Sequence, residues 1–180
     1  TEVGPIRMSL TLASVFCLAA LGFAAGSDTN DLVKLKFVRP DDPKIQYFGR
    51  VGMFDSLAPT FHYGMSGFKF RFTGTSLGLS FEEDGYGEGN WIGIRIDGGM
   101  EIRQYLKPGV TERHQIASGL KPGTHDALVY RRSDAWRGSF AFKGVALDAE
   151  AQLLDPPARP KRRMEFYGDS VTAGGGVEAI

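Results

Sequence analysis

The sequence contains very little cysteine and no excess of charge. Cys17 is its only cysteine, and 21 Lys plus Arg residues balance 21 Asp plus Glu residues. A zero formal net charge gives no indication of a nucleic-acid partner or of binding to an anionic membrane surface. Long charged runs typical of exposed helices are also absent. The 24 glycines and 13 phenylalanines instead favour β-structure with many turns.

The N-terminal region has the pattern of a secretory signal peptide. Leu10–Ala25 is almost uninterrupted apolar sequence of about 16 residues, shorter than the ~20 that span a bilayer as a helix. Small residues end the run, and polar Ser27–Asn30 follow. We therefore predict a signal peptide within residues 1–26, cleaved near Gly26, and a secreted or periplasmic protein that leaves the membrane after cleavage. A buried apolar helix is the alternative. Because Cys17 lies inside the run, the mature chain would have no thiol, which excludes disulfides, thiol catalysis and cysteine-ligated metals.

Short strand-like runs fill the sequence between residues 32 and 154. Gly67–Thr73 alternates strictly, which places three phenylalanines on one face and two cations on the other. Leu77–Phe81 and Ile92–Ile96 repeat this period. Weaker candidates are Lys34–Val38, Ile45–Phe48, Thr60–Tyr63, Ile102–Leu106, Arg113–Ala117, Asp126–Arg131 and Phe140–Leu147. About ten short strands without amphipathic helices between them predict a mainly β fold, an antiparallel jelly-roll sandwich over residues 27–155.

A proline-rich segment, Asp155–Pro160, is the clearest break in the chain. Three prolines in five residues cannot join a sheet ladder and favour an extended, stiff connector. We therefore predict a connector over residues 156–163 and the start of a second domain at residues 164–180.

The second segment begins with a strand-and-turn pattern. Met164–Tyr167 is a short apolar run, read as a buried strand, and small residues that open a helix follow Gly168. Ser170 would then lie at a sharp turn, beside backbone N–H groups that the first turn of a helix leaves without partners. A hydroxyl next to such donors is what acyl transfer requires.

The sequence Gly168-Asp169-Ser170-Val171-Thr172 resembles the first block of the SGNH (GDSL-like) hydrolases. The resemblance implies that Ser170 is the catalytic nucleophile, that its N–H contributes to the oxyanion hole, and that Gly168 and Asp169 support the motif. The segment over residues 164–180 would be the truncated first strand and turn of an α/β SGNH hydrolase domain.

A wider resemblance runs from about Ile45 to Ile180. The order and spacing of several short elements resemble carbohydrate esterase family 2, in which an N-terminal β-sandwich precedes an SGNH-type domain. These elements are Gly49-Arg50, Gly74-Thr75, Ile96-Asp97-Gly98, Gly119-Leu120, Gly123, His125 and the closing Gly168-Asp169-Ser170. The resemblance implies a serine esterase that removes acetyl groups from polysaccharides such as xylan or glucomannan through an acyl-enzyme on Ser170, with no metal or organic cofactor.

The general base expected from this resemblance is missing. The three histidines, His62, His114 and His125, all precede the connector, and only ten residues follow Ser170. A serine without a base is a weak nucleophile. We therefore expect the 180-residue chain to be inactive by itself and to be the front part of a longer enzyme. His125 is expected to hydrogen-bond locally and fix a turn, and His62 to lie on a sandwich face.

Two alternatives remain open at this point. The first is a non-catalytic carbohydrate-binding sandwich in which the Ser170 turn is incidental, and the second is an SGNH-type lipase or thioesterase.

Four aromatic residues would form a sugar-stacking surface if they shared one exposed face, although aromatics in β-domains are more often core. They are Tyr86, Trp91, Tyr105 and Trp136. The acidic run Glu82–Asp84 is expected to be a solvated turn, because it lacks the ligand spacing of a calcium loop. The sequence does not predict an oligomeric state.

Overall fold

The computed structural model describes residues 35–159, 161–162, 164 and 167–172. The predicted signal peptide at residues 1–26 lies outside the described residues, and so do residues 173–180, where a helix was expected after Ser170. Among the described residues, no helix is both long and apolar enough to cross a bilayer. The signal peptide therefore stays a prediction.

Twelve strands and one short 3-10 helix make up the described secondary structure. The strands are β1 Leu35–Val38, β2 Gln46–Phe48, β3 Val51–Gly52, β4 Thr60–Phe61, β5 Gly67–Thr73, β6 Leu77–Glu83, β7 Asn90–Ile96, β8 Ile102–Leu106, β9 Thr111–Ala117, β10 Thr124–Arg131, β11 Phe140–Asp148 and β12 Leu153–Leu154, and the 3-10 helix is Ala135–Arg137.

The strands form two antiparallel six-stranded sheets. The first sheet has the order β3-β4-β11-β6-β9, with β1 also paired to β11. The second has the order β12-β5-β10-β7-β8, with β2 also paired to β5. From β5 to β12 the chain passes repeatedly between the two sheets, so most pairings join strands distant in sequence. The predicted antiparallel jelly-roll sandwich is confirmed.

The strict alternation of β5 decides which face of the second sheet is buried. Phe68, Phe70 and Phe72 are 1%, 2% and 0% exposed, whereas Lys69 and Arg71 lie on the other face. Burying each phenylalanine stabilises the fold by roughly 1.5–3 kcal/mol. Phe68 stacks on Phe142 of the first sheet, with ring centroids 4.1 Å apart, so this contact joins the two sheets.

A β-bulge in β11 follows this inter-sheet contact. The register between β11 and β6 shifts between Phe142 and Gly144, and Gly144 has a φ of 138°. A Cβ at position 144 would lie 2.5 Å from Phe37 Cζ. Glycine therefore meets both the backbone requirement and the close approach of β1.

The predicted strand bounds hold to within a few residues, with two omissions. The short strands β3 and β12 were not predicted, because two residues carry no recognisable period. The predicted strand Thr60–Tyr63 ends at Phe61, so His62 lies beyond it as an exposed residue and not on a sandwich face.

Candidate functional site

Ser170 lies in an exposed turn. The turn covers Ser170–Thr172, and these residues are exposed. Asp169 stabilises it, because its Oδ1 accepts a hydrogen bond from the backbone N–H of Val171 at 3.0 Å. Ser170 is thus accessible to solvent, as a nucleophile must be, and its catalytic role stays a prediction.

Gly168 lies close to the Thr172 side chain across this turn. A Cβ at position 168 would overlap the Thr172 hydroxyl and would lie 2.5 Å from Thr172 Cβ. Only glycine leaves room for the threonine side chain in this position. Thr172 belongs to the block by its sequence, but nothing in the sequence indicates this contact.

The expected buried strand before the turn is not found at its two described ends. Met164 is 81% exposed and Tyr167 is 89% exposed, and neither residue is in a strand. A buried strand needs paired neighbours and layers on both faces, and neither of the two sheets pairs with these positions. Residues 165 and 166 lie outside the described residues.

The three histidines are all in the sandwich region, as the sequence indicated. His62 is exposed and contacts Tyr63 edge to face at 5.2 Å. His114 lies on β9, and its buried Nε2 has no hydrogen-bond partner. Within the described part of the chain, no hydrogen bond joins Ser170 to His62, His114 or His125.

His125 fixes a turn, as expected. Its Nδ1 lies 2.7 Å from Asp97 Oδ2, and its Nε2 lies 2.8 Å from the Lys121 carbonyl oxygen. The hydrogen bond to Asp97 raises the pKa of His125, and this effect outweighs the opposing effect of burial. Both ring nitrogens face oxygen acceptors, so His125 has none left to take a proton from a serine.

The carboxylate of Asp97 links two strand ends. Its Oδ1 accepts the backbone N–H of Asp126 at 2.8 Å, while Oδ2 contacts His125. Burial acts to raise the Asp97 pKa, but these hydrogen bonds lower it overall. Asp97 has a φ of 54°, a left-handed conformation that Asp tolerates better than most residues. The Asp97–His125 pair is therefore a structural brace.

The prediction that Glu82–Asp84 forms a solvated turn is wrong. Glu83 ends β6 and is only 3% exposed. Its Oε2 accepts the backbone N–H groups of Gly85 at 2.7 Å and Gly109 at 2.8 Å, and its Oε1 accepts the Asn90 side-chain amide at 2.8 Å. A buried carboxylate is stable here because it has several donors. Among the described residues, no group of three or more His, Cys, Asp or Glu side chains could hold a metal ion.

A fully buried arginine, not predicted from the sequence, lies at the end of β10. Arg131 is 0% exposed, and its guanidinium donates to the carbonyl oxygens of Phe61 at 2.9 Å, Ser133 at 2.9 Å and Asp134 at 2.6 Å. Burial lowers its pKa to about 10, so it is still charged at neutral pH. The period of β10, with inward residues at alternate positions up to Val129, was the signal that placed residue 131 inside.

None of the four candidate sugar-stacking aromatics belongs to the buried core. Trp136 and Tyr86 are 61% and 68% exposed. Trp91 and Tyr105 are half-buried, and they pair across β7 and β8 with ring centroids 5.1 Å apart. All four residues therefore offer some ring surface to solvent.

Comparison with known proteins identifies the sandwich. The family model described as carbohydrate esterase 2 N-terminal matches residues 47–157. The chain belongs to this family. The matched range begins in β2 and ends after β12, so it coincides with the sandwich. The Gly168–Thr172 block lies outside the matched range.

Curated relatives of this family member are esterases. The chain is 29% identical over 138 residues to the cellulase/esterase CelE of Acetivibrio thermocellus, covering 77% of this chain and 16% of CelE. It is 27% identical over 146 residues to an acetylxylan esterase / glucomannan deacetylase of Cellvibrio japonicus, covering 79% of this chain and 39% of that protein. The chain thus spans well under half the length of these relatives.

Solved structures give the same fold. A family two carbohydrate esterase from Cellvibrio japonicus superimposes with a TM-score of 0.72 at 24% identity, covering 81% of this chain and 42% of that chain. A family two carbohydrate esterase from Clostridium thermocellum, solved in complex with cellohexaose, superimposes with a TM-score of 0.64 at 28% identity, covering 71% and 38%.

Proposed function

We propose that this sandwich belongs to a secreted or periplasmic serine esterase that removes O-acetyl groups from polysaccharides such as xylan or glucomannan. The observation that carries the proposal is the family match over residues 47–157, followed after a proline-rich segment by Gly168-Asp169-Ser170. The names of the Cellvibrio relatives support the substrate class. The apolar run Leu10–Ala25 supports export.

We propose a domain boundary in the proline-rich connector at residues 156–163. Strand β12 ends at Leu154, and residues 155–159 have no regular secondary structure. The Gln46 side-chain amide donates to the Pro157 carbonyl at 3.2 Å, which holds the start of the connector against the sandwich. A second domain that begins near Met164 would therefore be joined to the sandwich through a connector whose start is fixed at Pro157.

In the proposed reaction, the Ser170 hydroxyl attacks the acetyl carbonyl carbon. Its proton passes to a general base, the C=O bond opens to an oxyanion, and collapse expels the sugar alkoxide, which leaves as the alcohol after taking up that proton. Water then attacks the acyl-enzyme and releases acetate, which restores the serine. The Ser170 backbone N–H is proposed to donate to the oxyanion.

The general base is proposed to come from residues outside those described. His125 has both ring nitrogens occupied, and the half-buried His114 has a buried Nε2 that lies 3.5 Å from Glu112 Oε1. Neither the His125 ring nor Nε2 of His114 is therefore free and accessible, and His62, although exposed, makes no hydrogen bond to Ser170 in the part of the chain that the structure describes.

Acetyl release by the complete gene product tests this proposal. The measurement is the acetate released from acetylated xylan, acetylated glucomannan and an aryl acetate. The Ser170→Ala variant is compared with the control variant Ser118→Ala, which removes an exposed hydroxyl elsewhere in the chain. We expect kcat to fall by about 10³-fold or more for Ser170→Ala and to be unchanged for Ser118→Ala. Equal activity of both variants would contradict the proposal, and a preference for long-chain esters would favour the lipase alternative.

A non-catalytic carbohydrate-binding module is the second candidate. The exposed Trp136 and Tyr86 favour it, because solvent-exposed aromatics on loops are common in binding surfaces. A gene product that binds polysaccharide but releases no acetate would support this candidate over the esterase.

A further inference from the structure

An exposed tryptophan is held rigidly beside the second sheet. Trp136 is 61% exposed, yet the Arg137 guanidinium packs over its ring at 4.8 Å, and its Nε1 donates to Asp134 Oδ2 at 3.3 Å. A cation over one face leaves the rest of the ring to solvent. Trp136 is thus a pre-oriented aromatic surface.

Glu88 links Trp136 to the other tryptophan. The Glu88 carboxylate lies 3.2 Å from Arg137 Nη1, and its carbonyl accepts the Tyr105 hydroxyl at 2.6 Å. Tyr105 in turn pairs with Trp91 at 5.1 Å. We call Trp91, Tyr105, Trp136, Glu88 and Arg137 the Glu88 aromatic cluster.

The loop that carries Glu88 and the segment that carries Trp136 and Arg137 are hydrogen-bonded to each other. Asp84 Oδ2 accepts the Ser139 N–H at 2.5 Å and its hydroxyl at 2.7 Å. A Cβ at Gly87 would lie 3.4 Å from the Arg137 backbone, and one at Gly138 would lie 2.7 Å from the Tyr86 carbonyl oxygen. The loop over residues 84–89 and the 3-10 helix therefore pack closely. Little conformational entropy would be lost when a ligand binds to such a surface.

We propose that the Glu88 aromatic cluster binds the sugar chain of a neutral polysaccharide, separately from the Ser170 site. The faces of pyranose rings present C–H groups, which pack against the electron-rich faces of tryptophan and tyrosine. Glu88, whose side chain is 75% exposed, is available to hydrogen-bond sugar hydroxyls, whereas Arg137, at 12%, holds Glu88 and the Trp136 ring in place. The choice of xylan- and glucomannan-type chains rests on the proposed function.

Two features favour a sugar over a protein partner. The exposed Trp136 ring contacts the charged side chain of Arg137, which in turn pairs with Glu88, so charged groups border the ring. The exposed aliphatic and aromatic residues over 53–65 lie on a different segment, beside β3 and β4, whereas Met100, Ile102 and Val110 lie on β8, the strand of Tyr105, or in the segments beside it. Aromatic rings with polar groups beside them suit a chain of pyranose units, which has apolar faces and polar edges.

Binding by the 180-residue chain tests the proposal, because the site lies wholly within it. Trp91 and Trp136 are its only two tryptophans, so intrinsic fluorescence reports directly on the cluster. The titration uses deacetylated glucomannan, xylan and cellohexaose, and affinity electrophoresis provides an independent measurement. We expect the polysaccharide to change the wild-type fluorescence, and Trp136→Ala to weaken binding by about tenfold or more.

The matched control is Phe54→Ala, which removes a fully exposed aromatic on another loop and should bind as the wild type does. Trp91→Ala should also weaken binding, and its melting curve separates lost folding from lost contact. The proposal is overturned if the wild type binds none of these sugars, or if Trp136→Ala and Phe54→Ala bind equally well. Acetyl release by the gene product is measured separately, so failure here leaves the proposed esterase untouched, and the reverse also holds.

Discussion

Replacing Arg131 by methionine should destabilise the sandwich more than any surface substitution. Its guanidinium donates to three backbone carbonyls, those of Phe61, Ser133 and Asp134. A hydrogen bond from a charged donor contributes about 1.5–3 kcal/mol, so the three together amount to roughly 5–9 kcal/mol. Methionine is similar in length but leaves all three acceptors without this donor.

The cost of burying the charge reduces this figure. Removing a guanidinium from water costs several kcal/mol, and methionine avoids that cost. We therefore expect a net loss of about 3–5 kcal/mol in the free energy of unfolding, a large part of the stability of a typical domain. Arg131→Lys should be no better, because one ammonium group replaces a planar fork with five donors.

Urea denaturation followed by tryptophan fluorescence measures this loss as a lower midpoint at an unchanged slope. Arg71→Met is the matched control, since Arg71 is on the outer face in an ion pair with Asp126 at 2.8 Å and should cost about 1 kcal/mol or less. If Arg131→Met were no more destabilising than Arg71→Met, the reasoning about the buried carbonyls would be refuted.

Three further predictions concern single side chains in the sandwich. Glu83→Gln removes a buried carboxylate that accepts three N–H groups and should lower the free energy of unfolding by about 2–3 kcal/mol. Glu82→Gln, which affects only an exposed ion pair, should cost less than about 1 kcal/mol, and equal urea midpoints would contradict this. The raised pKa of His125 means that its stabilisation is complete below about pH 6.5 and is lost as the pH rises through the folded-state pKa. The difference in melting temperature between wild type and His125→Gln should therefore shrink with rising pH, and a constant difference would count against the brace. Burial lowers the pKa of His114, so stability is lost as the pH falls below about 6.5; His114→Leu should reduce this acid sensitivity, whereas the exposed His62→Leu should not.

Strands were predictable from the sequence where one face is exposed to solvent and the other face is buried. β5 was predicted with its observed bounds, because alternation separates buried from exposed residues along a half-buried strand. The pairing of β5 with β10, about 55 residues apart, was not predictable, since the period gives each strand's faces but not its neighbours.

The buried charged residues were not predictable from residue type. Glu83 and Arg131 belong to classes that are seldom buried, and each is buried because several donors or acceptors converge on it from distant segments. The strand periods are consistent with both inward positions, but the sequence does not reveal the partners that make burial possible, so neither residue was predicted to be buried.

The block around Ser170 was recognisable in the sequence because the residues that shape its turn are neighbours in the chain. Asp169 and Gly168 make their contacts within four residues of the serine, so a short sequence motif contains them. A general base acts across the fold, and no local pattern around Ser170 specifies it. This is why the sequence indicated a nucleophile while leaving its partner open.

Covalent labelling of the complete gene product tests the central claim most directly. An aryl phosphonate reacts with an activated serine, and peptide mass spectrometry locates the adduct. The account predicts one adduct, on Ser170, that forms in step with the loss of acetyl release. An adduct on another serine, or full inactivation without modification of Ser170, would contradict it.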